Sequence, residues 1–102
     1  ATPAAALARV ELAAGRPQAA LGLLERALAA DGRFWMTRYL AGRALLAAGR
    51  PAEACGHLEA ALERAEDPAP VLEQLARAQV ALGRLDVARA LLEKLKAMTH
   101  PG

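Results

Sequence analysis

Apolar residues recur along the chain at spacings of three and four, in six stretches separated by short breaks that hold Gly, Pro or Asp. That spacing puts them on one face of a helix, so the pattern predicts six helices and no strands. The first stretch runs from Ala4 to about Ala14, with Leu7, Val10 and Ala14 on one stripe. The second runs from Pro17 to about Ala30 and carries Ala20, Leu24, Ala27 and Leu28. A third, about Trp35 to Ala48, turns Leu40, Ala41, Ala44 and Leu45 inward, and a fourth, from Pro51 to about Ala65, presents Ala54, Leu58, Ala61 and Leu62. The fifth offers Leu72, Leu75, Ala76 and Gln79. The sixth, about Leu85 to Met98, offers Ala88, Leu91, Leu92 and Leu95.

The breaks repeat as faithfully as the stripes. Leu12-Ala13-Ala14-Gly15-Arg16-Pro17 returns letter for letter as Leu46-Ala47-Ala48-Gly49-Arg50-Pro51, and more loosely as Val80-Ala81-Leu82-Gly83-Arg84-Leu85. Gly is the residue a helix end wants in the left-handed conformation, and Pro suits the first turn of the helix that follows. Thr2-Pro3 serves the same purpose at the first helix, while Asp31-Gly32-Arg33 and Asp67-Pro68-Ala69-Pro70 punctuate between hairpins, the latter with two prolines compatible only with a helix start or a tight link, and His100-Pro101-Gly102 stops the last helix. Gly15, Gly49 and Gly83 are spaced by 34, and the 102 residues divide into units 1–34, 35–68 and 69–102. A fixed period of this size signals a repeat array, in which no unit buries its apolar face alone. The expected fold is all-α: three helix–turn–helix units stacked as an α-solenoid.

These residues resemble the tetratricopeptide repeat, a 34-residue motif, over the whole chain. Unit one fits with Leu7, Ala8, Gly15, Ala20, Leu24 and Ala27, unit two with Gly42, Gly49, Ala54, Leu58 and Ala61, and unit three with Leu72, Leu75, Ala76, Gly83, Ala88 and Leu92. The resemblance implies a right-handed superhelix, with small residues such as Ala8, Gly42 and Ala76 where two helices cross closely. Two departures stand out. The aromatic expected at position 11 is replaced by Glu11, Leu45 and Gln79, and position 4 is Ala4 and Arg38 in the first two units, which together imply a slim core of Leu and Ala. No further helix follows the third unit, so the apolar face of the last one (Leu91, Leu92, Leu95, Met98) is expected to be open unless a repeat, a subunit or a parent protein covers it.

Composition adds little beyond helix preference. There is no Ile, Ser or Asn, and the basic residues are nearly all Arg, which reads as coding bias toward Ala, Arg and Gly in a bacterial-looking polypeptide. Ala, Leu, Arg and Glu are strong helix formers. The formal net charge of +2 is too thin for a nucleic-acid binder. A single Cys55 allows no internal disulfide, no apolar run spans a bilayer, and no leader is visible, so the cytoplasm is the expected compartment. The chain opens on Ala and reads as a segment of a longer polypeptide, one that carries an enzyme elsewhere on an alternative reading.

Catalysis within the segment is not expected. Cys55 and His57 lie two apart on a helix and face different ways, no Cys/His set has zinc-ligand spacing, and the glycines sit at helix turns rather than in a phosphate loop. Neither cofactor nor metal is implied. Glu59 and Glu63 read as solvated surface, and Cys55 as small apolar packing.

Binding is the better reading. The resemblance implies that the first helices of the units line a concave groove for extended peptides. It carries groove positions onto Thr2, Ala5, Arg9, Leu12 and Ala13, then Met36, Tyr39, Arg43, Leu46 and Ala47, then Pro70, Glu73, Arg77, Val80 and Ala81. Arg9, Arg43 and Arg77 form a column there, suited to an acidic or C-terminal carboxylate, with Tyr39 and Met36 as an apolar wall. The column also reads as duplicated solvated surface, and Glu73 stands four residues before Arg77, within pairing reach. The chaperone-tail clamp of this family uses Lys and Asn at groove positions where Ala5, Arg9, Arg43 and Glu73 stand, so a cochaperone role is not expected. Phe34, Trp35 and Tyr39 cluster at the first junction between units, as a plug or as a binding hot spot. Arg16, Arg50 and Arg84 form a second column in the turns, expected to meet only solvent. Two rival readings remain: self-association or scaffolding through the last helix, and a helical-repeat RNA binder, which the charge disfavours.

Overall fold

The computed structural model describes residues 3–30 and 32–99. The expected roles of Thr2, Asp31 and His100-Pro101-Gly102 lie outside the described residues. Six helices follow one another: α1 (Pro3–Ala13), α2 (Pro17–Ala30), α3 (Trp35–Ala47), α4 (Pro51–Arg64), α5 (Pro68–Ala81) and α6 (Leu85–Thr99). No strand occurs among the described residues.

Each hairpin is closed by the same piece of backbone. Gly15, Gly49 and Gly83 sit at φ 77°, 80° and 78°, the left-handed region in which a Cβ would be strained. The amide of the following arginine donates back to the residue that begins the last helical turn: Arg16 to the Glu11 carbonyl at 2.8 Å, Arg50 to Leu45 at 2.8 Å and Arg84 to Gln79 at 2.9 Å. The glycine amides donate to Leu12, Leu46 and Val80 at 3.1, 3.1 and 3.0 Å. This double closure satisfies carbonyls that a helix end otherwise leaves bare. Pro17 and Pro51 then open α2 and α4 at positions where no amide is needed. At α5, Asp67 caps the helix by accepting from the Ala69 amide at 3.3 Å, so Pro68 and Pro70 both fall inside the first turn. The Asp-Pro-Ala-Pro break is a helix start.

The hairpins stack in sequence. α3 packs on both α1 and α2, and α5 on both α3 and α4. The first helices of successive hairpins touch each other, whereas α2, α4 and α6 do not. The layer formed by α1, α3 and α5 therefore follows the shorter arc and makes the concave side of a helical-repeat solenoid. The core runs through the middle: Leu24, Leu40, Leu58 and Leu72 are completely buried, surrounded by Ala8, Ala20, Ala44, Ala54 and Ala61. Small residues let the helices close in, and Gly42 marks the tightest crossing, because a Cβ there would fall within 2.6 Å of a Leu58 methyl.

The open ends differ from the stripe pattern. Leu7 and Val10 share a stripe, but it faces outward, 55% and 60% exposed, because none of the described helices packs on that side of α1. Their register mates two units on, Leu75 and Ala78, are buried under α3 and α4. At the other end α6 touches only α5, and Leu92 is 47% exposed where Leu24 and Leu58 are sealed.

Candidate functional site

The concave face is where the first helices put matched positions side by side. α3 contributes Arg43, Leu46 and Ala47, α5 contributes Gln74 and Arg77, and α1 contributes Leu12 to one cavity of about 370 Å³. Its polar rim holds two guanidiniums and a carboxamide, and its floor is aliphatic. Because the whole helix–turn–helix unit repeats every 34 residues, the equivalent arginines stand at the same register of successive first helices and so on the same side of the stack.

The two arginines are held differently. Arg43 is half-buried, and its guanidinium carbon lies 5.7 Å from the centre of the Tyr39 ring one turn earlier. Stacking on an aromatic face orients a guanidinium while leaving its edge donors available to a ligand. Tyr39 in turn rests 6.3 Å, centroid to centroid, from Trp35 at a tilted angle, and both pack against the core. The aromatic cluster thus acts as a plug and, through Tyr39, as the seat for Arg43. Arg77 is more exposed and pairs with Glu73 at 3.1 Å across one helical turn. A solvent-exposed pair at this spacing contributes only about 0.3–0.5 kcal/mol, so Glu73 ties Arg77 down only weakly.

Other residues singled out by the sequence fall elsewhere. Arg9 is exposed on α1 outside the cavity, and Met36 is half-buried against the core beside Trp35. Leu91 leans onto the core, Leu95 is half-buried, and Leu92 and Met98 are exposed on α6. Gln74 lines the cavity without having been singled out. It stands in register with the buried Leu40, and the exchange of a core leucine for an amide at that position was the available signal.

The turn arginines do not meet only solvent, contrary to expectation. Arg16 reaches Glu11 at 3.5 Å and Arg84 reaches Gln79 at 3.5 Å, both five residues back. Arg50 finds Leu45 at that place and pairs forward with Glu53 instead, through two bonds of 2.9 and 2.6 Å. The bond to Arg50 holds the Glu53 carboxyl below its ordinary range. The polar residues that replace the position-11 aromatic in units one and three are therefore served by the arginine closing each turn.

On the convex side, Arg38 crosses from α3 to the break before it, donating to the Gly32 carbonyl at 2.9 Å and approaching His57 Nδ1 at 3.5 Å. Burial, reinforced by Arg38 and opposed by Glu53, lowers the His57 pKa. Burial likewise raises the Cys55 thiol, which packs within the core as a small apolar group. Among the described residues no cluster of three His, Cys, Asp or Glu side chains is placed to hold a metal ion, and no helix is long and apolar enough to cross a membrane.

A stack of helical hairpins with a grooved inner arc belongs to the α-solenoids, which offer an extended concave surface to a partner. Two family models described as tetratricopeptide repeat match the chain, one over residues 5–70 and the other over residues 45–100, and the chain belongs to the tetratricopeptide-repeat family. Repeats of this family are generally protein–protein interaction modules, typically without catalysis of their own. No curated protein matches the chain.

Proposed function

We propose that the chain binds a protein partner by taking an acidic or carboxylate-terminated peptide segment into the concave cavity, with Arg43 and Arg77 as its anion ligands. The observation that carries this reading is the meeting of both guanidiniums in one cavity floored by Leu12 and Leu46. A carboxylate between them accepts charge-assisted bonds, each contributing about 1.5–3 kcal/mol when well made. The aliphatic floor suits a small apolar residue next to the carboxylate, and Gln74 is placed to bond peptide backbone. Arg9, one unit upstream on the same arc, extends the column for a longer acidic segment.

The test is a fluorescence-anisotropy titration with a set of short peptides ending in Asp or Glu, each made with a free and an amidated C-terminus. Free-acid peptides bind, amidation weakens them, and Arg43→Ala or Arg77→Ala weakens them by about tenfold or more. Binding indifferent to both arginine substitutions sinks the assignment.

A further inference from the structure

The two seams between successive first helices offer a ligand the same charges and differ at one position. Where α1 meets α3 the matched residues are Arg9, Leu12, Ala13, Leu40 and Arg43. Where α3 meets α5 they are Arg43, Leu46, Ala47, Gln74 and Arg77. Each seam has its pair of arginines, a leucine and an alanine, and only Leu40 gives way to Gln74. Leu40 is completely buried, which closes the first seam at that point. Gln74 is half-buried and lines the concave cavity, whose walls come from α1, α3 and α5 and so lie within the stack. Among the described residues its carboxamide has no hydrogen-bond partner. No unpartnered side-chain nitrogen or oxygen is sealed from solvent there, so both polar atoms of Gln74 are accessible.

We propose that Gln74 is the specificity-determining residue of the concave cavity, reading the backbone of one extended ligand residue beside the anion that Arg43 and Arg77 hold. The inference rests on the reading of the cavity as an acidic-peptide site and adds what that site demands next to the charge. Guanidiniums only donate, so the arginines alone accept any anion of suitable size. A carboxamide presents an acceptor and a donor side by side. That pair matches the N–H and C=O that a single residue of an extended chain turns to the same side, as residues do across an antiparallel ladder. Gln74 and Arg77 stand three apart on α5 and share a face, so the amide is read immediately beside the charge. A leucine in this place, as in the first seam, leaves both backbone groups of the ligand facing an aliphatic side chain. A site built on a hydrogen bond discriminates through the groups it leaves unpaired, which an arginine pair without Gln74 does not do.

The decisive experiment is an ester scan of one free-acid peptide ending in Asp or Glu, titrated against the wild-type chain and Gln74→Leu by fluorescence anisotropy. Each analogue replaces a single backbone N–H near the C-terminus by an ester oxygen. Circular dichroism verifies that Gln74→Leu keeps its helices, since leucine already stands at that register in α3. The wild type is expected to lose about threefold or more in affinity for one ester of the series and little for the others. Gln74→Leu weakens the parent peptide by a similar factor and binds that ester and the parent equally. A wild type indifferent to every ester overturns the proposal, whatever the variant does. So does a Gln74→Leu chain that weakens parent and esters by one common factor, because a changed cavity shape then explains the loss. If Gln74→Leu binds the parent as the wild type does while Arg77→Ala binds it weakly, the role of Gln74 is overturned and the cavity reading stands. Binding that is absent, or indifferent to Arg43→Ala and Arg77→Ala, removes the cavity reading and this inference with it.

Discussion

Leu58 and Leu92 are the same residue at the same place in successive units, yet one is sealed and the other is 47% exposed. Leu58 is on α4, which packs against both α3 and α5, and Leu92 is on α6, which among the described helices packs against α5 alone. The hairpin itself does not bury its second helix; the next hairpin does. The other edge repeats the lesson, since Leu7 is open where Leu75 is closed. In a stacked array, the energetic weight of a residue belongs to the junction it occupies and not to the motif position it fills.

The largest effect that would sharpen this comparison comes from truncating the two leucines. Leu58→Ala empties a fully buried site and is expected to cost about 2–5 kcal/mol, whereas Leu92→Ala, in the unassociated chain, costs less than about 1 kcal/mol. Urea unfolding at low protein concentration reads both, and equal losses would mean that α6 is covered in the monomer.

Next in size is a pair of glycine substitutions of opposite sign. Gly42→Ala drives a methyl into Leu58, which has no room to retreat, so an overpacking cost of about 1–3 kcal/mol outweighs the gain of under about 1 kcal/mol in helix preference. At Gly22, in the middle of α2, a Cβ meets nothing within 4 Å, and Gly22→Ala is expected to stabilise by about 0.5–1 kcal/mol. Thermal midpoints moving in the same direction for both would contradict the crossing described for α3 and α4.

The smallest effect is a pH dependence in the covered middle. His57 has its pKa lowered by burial and by Arg38, so the unfolded chain binds its proton more readily than the folded one. Stability is therefore full above the ordinary histidine value of 6.5 and declines as the pH falls through it. Substituting His57→Gln flattens that decline between neutral pH and the carboxylate range. An unchanged pH profile of the melting temperature in the variant would remove His57 from the account.

The helices and turns were legible in the sequence to within a residue or two, because Gly at a left-handed position and Pro in a first turn leave the backbone few alternatives. The buried face of α3 and the pairing of Glu73 with Arg77 were legible for the same local reason. What local pattern could not supply was the neighbour. Leu7 and Val10 look like core until it is seen that none of the described helices packs on their face. The turn arginines look solvated until the residue five places back is seen to be Glu11 or Gln79. The column of arginines was visible as a period of 34, but only the packing of α3 on α5 joins Arg43 and Arg77 in one cavity and leaves Arg9 outside it.

Amide hydrogen exchange followed helix by helix at low protein concentration tests most directly the claim that coverage by the next hairpin decides what is core. At low concentration α3 and α4 are expected to exchange slowest and α6 fastest, by several orders of magnitude, since the end hairpin opens without disturbing the middle. Uniform protection from α1 to α6 in the monomer would contradict the claim, because it would mean the stack opens as one unit regardless of which faces are covered.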